Sequence, residues 1–479
     1  MSLKNNKFMY PSNLMVLNNN ISSNIPGLPS VRSCCPKIMV GIMDHQKEVR
    51  INLQGPFTIE NARDITGVFV ARAKKKDIVL YDEQERVLYR AQTVRLLNRD
   101  NSFFTLFNVT IGIDFHWEKQ EEQTFKGGIV LKIRTDSTLA VINEIDIEDY
   151  LESVISSEMN SSAPFEFLKA HAIISRSWLI SALRQKKEGA LNLNKKSSMD
   201  NTTNKRSPNT IIRWYEQEGH DIYDVCADDH CQRYQGITKI ITNRPLDAVK
   251  MTYGVVITYD GEVCDARYSK ACGGITEEYR TAWKDTEVPY LISISDGPRP
   301  FKPITTEKGA RDWINSKPEA YCNTDDINVL MRILPDFDLK TEGFFRWRVE
   351  YTRCELEEII REKSGYDIGT LKEITPIERG PSGRISLIKI KGSKMTITLG
   401  KELEIRRWLS RSHLYSSAFV IDTKYDPSGE VQGFTFSGAG WGHGVGLCQI
   451  GAAMMAIKGF KAEDILRHYF PGTLIERIY

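Results

Sequence analysis

The sequence has no long hydrophobic run and no excess of charge of either sign. Its 479 residues contain no stretch of about 18 apolar residues, which excludes a transmembrane helix. Lysine and arginine number 64 against 62 aspartate and glutamate, a net charge of +2. This balance lacks the basic surface that binding to nucleic acid or to an anionic membrane requires. We therefore expect neither kind of partner.

Cysteine is too sparse and too irregular to build a disulfide scaffold. Nine cysteines, an odd number, are spread along the chain, and we interpret most of them as free thiols. The polar first segment, residues 1–36, is interpreted as a loose leader. It contains no continuous apolar region, so it gives no convincing signal peptide and leaves the localisation open.

The apolar pattern predicts an α+β fold. Val49, Ile51 and Leu53 alternate with polar residues at the strand period, and helical patterns concentrate between residues 146 and 183. Strands resume later without a regular strand–helix–strand alternation. We expect one large domain over residues 37–479, with a central helical hairpin flanked by mostly antiparallel sheet. Its excursions are a mobile insertion at about 193–209 and an accessory lobe at about 301–380.

The first predicted helix ends in a single acid. Ile147, Leu151, Val154 and Ile155 form an apolar stripe, and Glu158 is the next residue on the same face. A carboxyl group placed there suits a general acid. An ordinary helix-end acid, exposed or paired with a cation, fits the pattern equally well.

The second predicted helix has a basic face. Ser162 is predicted to cap this helix, with Pro164 in its first turn. Lys169 and Arg176 are seven residues apart and therefore share one face, whereas His171 points away from them. We interpret His171 as a packing or surface histidine.

A short loop collects soft metal ligands. The segment "YDVCADDHCQRYQG" places Cys226, His230 and Cys231 within six residues. A standard four-ligand zinc site would need a further ligand, for which Cys264 and Cys272 are candidates. Three interpretations stay open, in this order: structural thiols, a zinc site, and a Cys226–Cys231 disulfide.

A glycine-rich segment near the C-terminus does not fit a phosphate site. In "SGAGWGHGVGLCQIGA" the spacing departs from the dinucleotide fingerprint, and no lysine follows as a P-loop needs. In an extended segment of this pattern, Trp441 and His443 would lie opposite a bare glycine face. Two interpretations stay open: a platform for a sugar ring, and a packed glycine strand with Trp441 in the core.

Several of these pieces, in this order, resemble the SpoIID/LytB family of peptidoglycan proteins. The matching segments are "VINEIDIEDYLESVISSEM", the run from Pro164 to Ser177, "DVCADDHCQRYQG", "YSKACGGITEEYRTAW", "PYLISISD" and "GWGHGVGLCQIGAAMMAIKGFKAEDILRHYFPGT". The resemblance extends from about residue 37 to the C-terminus. One departure is Cys272, which stands where many relatives carry serine or threonine.

The resemblance implies a peptidoglycan lytic transglycosylase, a lyase. It would cleave MurNAc–GlcNAc strands, denuded of stem peptides, to 1,6-anhydro-MurNAc ends, with Glu158 as the only acid and base. Substrate binding is expected from Lys169, Arg176, Gln232, Tyr234, Gly273, Gly274, Trp441, His443 and Gln449. No cofactor is required, although some relatives bind zinc through the cysteine-rich loop, which implies a structural zinc at Cys226, His230 and Cys231.

The resemblance leaves a second function open. LytB-type relatives are non-catalytic enhancers of a cell-wall amidase, so the chain would then bind glycan and an amidase without cleaving. A metal-dependent hydrolase centred on the cysteine-rich loop is a third alternative. The family also implies a location outside the cytoplasmic membrane, at the cell envelope.

Overall fold

A computed structural model describes residues 35–60, 62–99, 101–113, 118–193, 209–215, 220–340 and 343–479. The described part from Cys35 onward forms one compact unit. Most of the predicted leader and of the insertion at 193–209 lies outside the described residues. Among the residues that the structure describes, no helix combines the length and the apolar composition needed to cross a membrane.

The first third of the described chain is made of strands. They are β1 (Lys37–Gln46), β2 (Glu48–Ile59), β3 (Asp64–Lys74), β4 (Asp77–Tyr81), β5 (Val87–Ala91), β6 (Thr93–Asn98), β7 (Phe103–Ile111), β8 (Lys119–Phe125), β9 (Gly128–Ile133) and β10 (Leu139–Asp146). In β2 the predicted alternation holds, because Val49, Ile51 and Leu53 are buried while Glu48 and Arg50 are exposed.

Two helices follow, and after them come several short strands and helices. These elements are α1 (Ile147–Glu158), α2 (Phe165–Leu193), β11 (Thr210–Ile212), β12 (Val225–Cys226), α3 (Arg244–Met251), β13 (Val255–Tyr259), β14 (Glu262–Val263), β15 (Tyr268–Ser269), α4 (Tyr279–Ala282), α5 (Glu307–Ile314) and α6 (Ile327–Ile333). The predicted helical hairpin is thus α1 and α2. Its second helix begins at Phe165, after Pro164, so the predicted position of Pro164 inside the first turn was wrong by one residue.

The remaining elements mix strands and helices. They are β16 (Arg346–Thr352), α7 (Arg353–Ser364), β17 (Leu371–Arg379), β18 (Ile385–Gly392), β19 (Thr396–Gly400), α8 (Glu402–Trp408), β20 (Phe419–Tyr425), β21 (Val431–Ala439), β22 (Leu447–Cys448), α9 (Gln449–Ile457), α10 (Ala462–Tyr469) and β23 (Leu474–Arg477).

The strands form one large sheet and several small ones. The large sheet has the order β12-β1-β10-β9-β6-β2-β3-β4-β5, and β7 and β8 extend it from β2. Its pairs are antiparallel except for β1 with β12. Separate sheets are formed by β11-β19-β18-β17, β14-β13-β23, β15-β22 and β16-β21-β20. The predicted α+β class with mostly antiparallel sheet is confirmed.

Two hydrophobic cores organise these layers. The larger core packs the big sheet against α1, α2, α9 and α10. The second core is drawn from residues 347–436, between α7, α8 and the strands β16 to β21. It extends past residue 380. The predicted lobe at about 301–380 stays a prediction, and we give the name accessory lobe to residues 343–439.

Helix α2 passes through the larger core and carries a charge there. Arg176 is 0% exposed, and its Nε and Nη2 atoms donate to the Glu148 carboxylate at 2.8 and 2.6 Å. Its Nη1 donates to the Val255 carbonyl at 2.8 Å. Glu148 also accepts from the Tyr479 hydroxyl at 2.6 Å. This pair fastens α2 to α1, to β13 and to the C-terminus.

Breaking this buried pair should strongly destabilise the fold. We expect Arg176→Ala to lower the free energy of unfolding by about 3–5 kcal/mol, because Glu148 is left buried without its cation. The double variant Arg176→Met/Glu148→Leu should lose much less, since neither charge remains. Denaturant unfolding of the three proteins measures these differences.

The matched control is an exposed arginine in the same kind of pair. Arg348 donates to Glu350 at 2.7 Å, but its side chain is 64% exposed. Arg348→Ala should cost less than about 1 kcal/mol. Equal losses for Arg176→Ala and Arg348→Ala would contradict the structural role assigned to Arg176.

Candidate active site

Glu158 is the last residue of α1 and is held between two distant segments. Its side chain is buried, with 8% of the residue exposed. Oε1 accepts the main-chain N–H of Arg233 at 3.0 Å and the hydroxyl of Tyr268 at 3.1 Å. One carboxylate oxygen is therefore fixed by the cysteine-rich loop and by β15.

The other carboxylate oxygen faces the start of α9. The Gln449 amide lies 3.5 Å from Oε2, at the limit of hydrogen-bond distance, and 3.1 Å from Nε2 of His171. His171 is fully buried beside Tyr268, with ring centroids 5.0 Å apart. The interpretation of His171 as a packing or surface histidine is right about packing, because the residue is buried. The sequence analysis did not predict its contact with Gln449 at this site.

His171 is neutral at ordinary pH. Burial, with a smaller contribution from the Lys270 ammonium, lowers its pKa to about 3. It therefore takes part as a hydrogen-bonding group and does not place a positive charge beside Glu158.

Lys270 is a cation of the site that sequence reasoning missed. Its Nζ donates to the main-chain carbonyl of Glu158 at 2.7 Å and pairs with Asp338 at 2.8 Å, both partners being buried. The signal was present in "YSKACGG", where the lysine stands two residues after Tyr268. A lysine directly after a short, partly buried strand, followed by small residues, is buried only where a polar partner awaits it.

The glycine ribbon, residues 440–446, is not an extended strand. Gly440, Gly442, Gly444 and Gly446 all have positive φ values, between 74 and 91°, so the predicted extended segment was wrong. Close approach explains the glycines, because a Cβ at Gly444 would overlap the buried guanidinium of Arg384. Arg384 in turn donates to the carbonyl of Gly442 at 3.1 Å.

The two ring side chains of the ribbon have different surroundings. Trp441 is partly exposed and packs with Tyr415 and Phe344, at centroid distances of 4.5 and 5.0 Å. It pairs with Ala271, which lies three residues beyond Tyr268 and belongs to the segment that contacts Glu158. His443 packs against Trp283 at 4.8 Å.

His443 is also neutral. Burial, followed by the charges of Arg267, Arg384 and Arg406, lowers its pKa well below the usual value. Its Nδ1 accepts the Val445 N–H at 3.0 Å, which puts the ring hydrogen on Nε2.

The two cations of the predicted basic face of α2 pair with different acids, and neither pairs with Glu158. Lys169 pairs with Glu166 at 2.9 Å and keeps a side-chain exposure of 15%. Arg176 is fully buried in its ion pair with Glu148, as described above. Its predicted contact with substrate is therefore corrected, because none of its surface is accessible.

Four other predicted substrate-binding residues have structural contacts: Gln232, Tyr234, Gly273 and Gly274. Gln232 and Tyr234 are buried, and Tyr150 donates to the Gln232 Oε1 at 3.2 Å. The Tyr234 hydroxyl donates to Asn143 at 2.5 Å. The glycine pair has φ values of 82 and 109° and packs against the ribbon and Trp313. Because Gln232 and Tyr234 are buried and the two glycines have no side chain, none of the four presents a side chain to an open groove.

The cysteine-rich loop forms a four-residue cluster with a histidine that the sequence analysis missed. His220, Cys226, His230 and Cys231 place their ligand atoms within 4.8 Å of one another. Cys231 Sγ lies 3.4 Å from Nε2 of His220 and 3.5 Å from Nδ1 of His230. The fourth member is therefore His220, and neither Cys264 nor Cys272 completes the set.

The geometry of this cluster fits a tetrahedral zinc ion. Zn–S and Zn–N bonds of about 2.3 and 2.0 Å give an S···N edge of about 3.6 Å. The distances above lie close to this edge, as does the 3.8 Å between Cys226 Sγ and His230 Nδ1. The chemistry of the donors, two thiols and two imidazoles, also suits zinc.

Two family models match the chain. Residues 135–259, which contain Glu158 and the cysteine-rich loop, match the family described as stage II sporulation protein. Residues 277–446, which contain the accessory lobe, match a domain of unknown function, DUF8618.

Individual relatives extend the similarity beyond these domains. An uncharacterized protein of Brachyspira hyodysenteriae is 25% identical over 439 residues, covering 91% of this chain and 92% of its own. Stage II sporulation protein D of Bacillus amyloliquefaciens is 25% identical over 333 residues, covering 69% and 74%. The amidase enhancer of Bacillus subtilis is 26% identical over 236 residues, which cover 48% of this chain and only 32% of the enhancer. Residues 135–259 thus carry a domain of the stage II sporulation protein family, and the chain is similar to SpoIID/LytB proteins over a longer range.

Proposed function

We propose that the protein is a peptidoglycan lytic transglycosylase that uses Glu158 as its single acid and base. The observation that supports this proposal is the asymmetric environment of the carboxyl group. Oε1 accepts from Arg233 and Tyr268, whereas among the described residues Oε2 accepts only from the Gln449 amide, at 3.5 Å. Oε2 is therefore the oxygen that can carry a proton to a substrate.

In the first half of the proposed reaction, Glu158 protonates the glycosidic oxygen on C1 of N-acetylmuramic acid. The bond between C1 and this oxygen breaks, and the carboxylate that remains is stabilised by the Arg233 N–H and the Tyr268 hydroxyl. The Gln449 amide, which also contacts the neutral His171, holds Oε2 in place without adding charge. The acetamido group of the substrate stabilises the cation developing at C1.

In the second half, the carboxylate removes the proton of the C6 hydroxyl, and this oxygen bonds to C1. The product is the 1,6-anhydro sugar, and no water is consumed. Ordinary glycosidases need a second carboxylate because water or an enzyme nucleophile must attack. A single buried acid such as Glu158 suffices when the nucleophile belongs to the substrate.

The aromatic group of Phe344, Tyr415 and Trp441 is proposed to hold the glycan. A partly exposed indole suits the apolar face of a sugar ring. Of the two predicted substrate-binding cations, Lys169 and Arg176, only Lys169 has accessible surface, so we assign Lys169 to the lactyl carboxylate of muramic acid. This favours strands denuded of stem peptides, in which that carboxylate is free.

A second function is supported by the similarity to the amidase enhancer. In this case the same surface binds glycan and an amidase partner, and Glu158 is a structural acid buried at the end of α1. Both functions place the protein at the cell wall. Product analysis separates them, because only a transglycosylase creates anhydro ends.

We also propose that His220, Cys226, His230 and Cys231 bind a structural zinc ion. When bound, zinc would cross-link His220 to the loop that begins at β12 and ends at Arg233. Since the Arg233 main chain holds Glu158, this loop positions the acid. The four ligands leave no position for a substrate oxygen, which disfavours a metal-dependent hydrolase.

Removing the acid should abolish cleavage. We expect Glu158→Gln to reduce the release of anhydro-ended fragments from denuded glycan by at least about 100-fold, because the amide carries no transferable proton. Mass spectrometry of the soluble products measures the effect on denuded and intact peptidoglycan in parallel.

Glu152→Gln is the matched control, because Glu152 lies on the same helix and pairs with Lys126 at 2.6 Å, away from the site. It should keep the wild-type rate. Unchanged cleavage by Glu158→Gln, with glycan binding intact, would disprove the assignment of the acid. Glycan binding without anhydro ends in the wild-type protein would instead support the enhancer function.

Removing one ligand of the loop cluster should release its zinc. We expect His220→Ala to hold one zinc ion fewer per chain than the wild-type protein and to unfold at a lower temperature. Metal analysis and thermal unfolding measure the two effects. His45→Ala is the control, because the side chain of His45 is exposed and lies outside this cluster. An unchanged zinc content in His220→Ala would show that the loop is not a zinc site.

A further inference from the structure

A second cluster of soft ligands lies in the interior and has no part in the proposed reaction. Cys272, Asp296, Cys322 and Cys448 place their ligand atoms within 4.8 Å of one another, and all four residues are buried. They come from four separate segments: the loop after β15, the loop between α4 and α5, the loop before α6, and the end of β22.

We propose that these four residues form a second zinc site, with three thiolate ligands and one carboxylate. This proposal does not depend on the transglycosylase activity or on zinc at the cysteine-rich loop. Three thiolates favour zinc over the oxygen-preferring cations magnesium and calcium.

The distance between two of the sulfur atoms fits this assignment. Cys272 Sγ and Cys322 Sγ are 3.7 Å apart. A tetrahedral zinc ion with Zn–S bonds of about 2.3 Å requires an S···S edge of about 3.8 Å. A disulfide would require about 2.05 Å. The limit of 4.8 Å for the cluster exceeds the tetrahedral edge by about 1 Å, so small side-chain movements would complete the site.

Hydrogen bonds around the cluster orient its ligand atoms. The Cys272 N–H donates to Cys448 Sγ at 3.2 Å, and the Gly274 N–H donates to Cys272 Sγ at 3.4 Å. The Cys322 N–H and the Tyr469 hydroxyl donate to the two oxygens of Asp296, at 3.0 and 2.5 Å. Partners of this kind hold thiolates and carboxylates in position for a metal.

The carboxylate of the cluster has no cationic partner among the described residues. Asp296 is 0% exposed, and no lysine, arginine or histidine among the described residues forms an ion pair with it. A buried carboxylate without a cation is costly, and adjacent thiols that ionise would add to this cost. A divalent metal would supply the missing positive charge.

The position of the cluster suggests what the metal would stabilise. Cys272 follows Lys270 by two residues, and Cys448 directly precedes Gln449, so two ligands adjoin residues that contact Glu158. Asp296 and Cys322 belong to the loops leading to the accessory lobe. The metal would therefore join these loops to the wall of the Glu158 site.

The test counts zinc in chains that carry one cluster at a time. In the full-length protein purified with zinc, we expect Cys226→Ser/Cys231→Ser to retain one zinc ion per chain by native mass spectrometry. Adding Cys322→Ser should remove it, whereas adding Cys264→Ser should not. Cys264 is the matched control because it is also a buried free thiol and lies outside both clusters.

Variants that alter only one of the two clusters show whether misfolding of the triple variant explains its loss of zinc. Cys322→Ser alone should hold one zinc fewer than the wild-type protein. Cobalt bound by Cys226→Ser/Cys231→Ser should show thiolate charge-transfer absorption, which Cys322→Ser weakens. Three outcomes would overturn the proposal: equal zinc in wild type and Cys322→Ser, a folded Cys226→Ser/Cys231→Ser protein without metal, or a Cys272–Cys322 disulfide in the purified wild type. None of these readouts depends on glycan cleavage, so a failure here leaves the proposed function standing.

Discussion

The burial of the Glu158 carboxylate between segments far apart in the chain is the constraint on which the site depends. Helix α1 supplies the residue, the loop that ends at Arg233 supplies a main-chain N–H, and β15 supplies the Tyr268 hydroxyl. A carboxylate buried to this extent is tolerated only when its hydrogen bonds are satisfied. The relative positions of these three segments are therefore fixed by the need to satisfy one side chain.

The accessory lobe and the glycine ribbon extend this arrangement into a surface. Tyr268 and Lys270 contact Glu158, and the same segment continues to Ala271, which pairs with Trp441 of the ribbon. The lobe contributes Phe344 and Tyr415 to the surroundings of Trp441. The family domain that carries the acid and the DUF8618 region thus meet along a single stretch of chain.

Charged residues in the interior divide into two groups with different consequences. Arg176 and Glu148 satisfy each other and fasten the helices, so they contribute to stability and not to the site. Around Glu158 the neutral His171, the Lys270–Asp338 pair and the Gln449 amide provide polar surroundings for the carboxyl group. One cysteine cluster includes residues of the loop that ends at Arg233, and the other includes Cys448, the neighbour of Gln449 in the sequence.

The sequence by itself determined the fold class, the helical hairpin and the end of α1 at Glu158, because these follow from apolar periodicity along neighbouring residues. Only the tertiary structure decided that Arg176 faces Glu148, that His220 joins the cysteine-rich loop, and that Lys270 and His171 adjoin the acid. It also decided that the glycine ribbon bends at each glycine and that Cys272 meets Cys322 and Cys448. These contacts join residues up to 291 positions apart, as for Glu158 and Gln449, and no local pattern records which distant side chain will fill a given space.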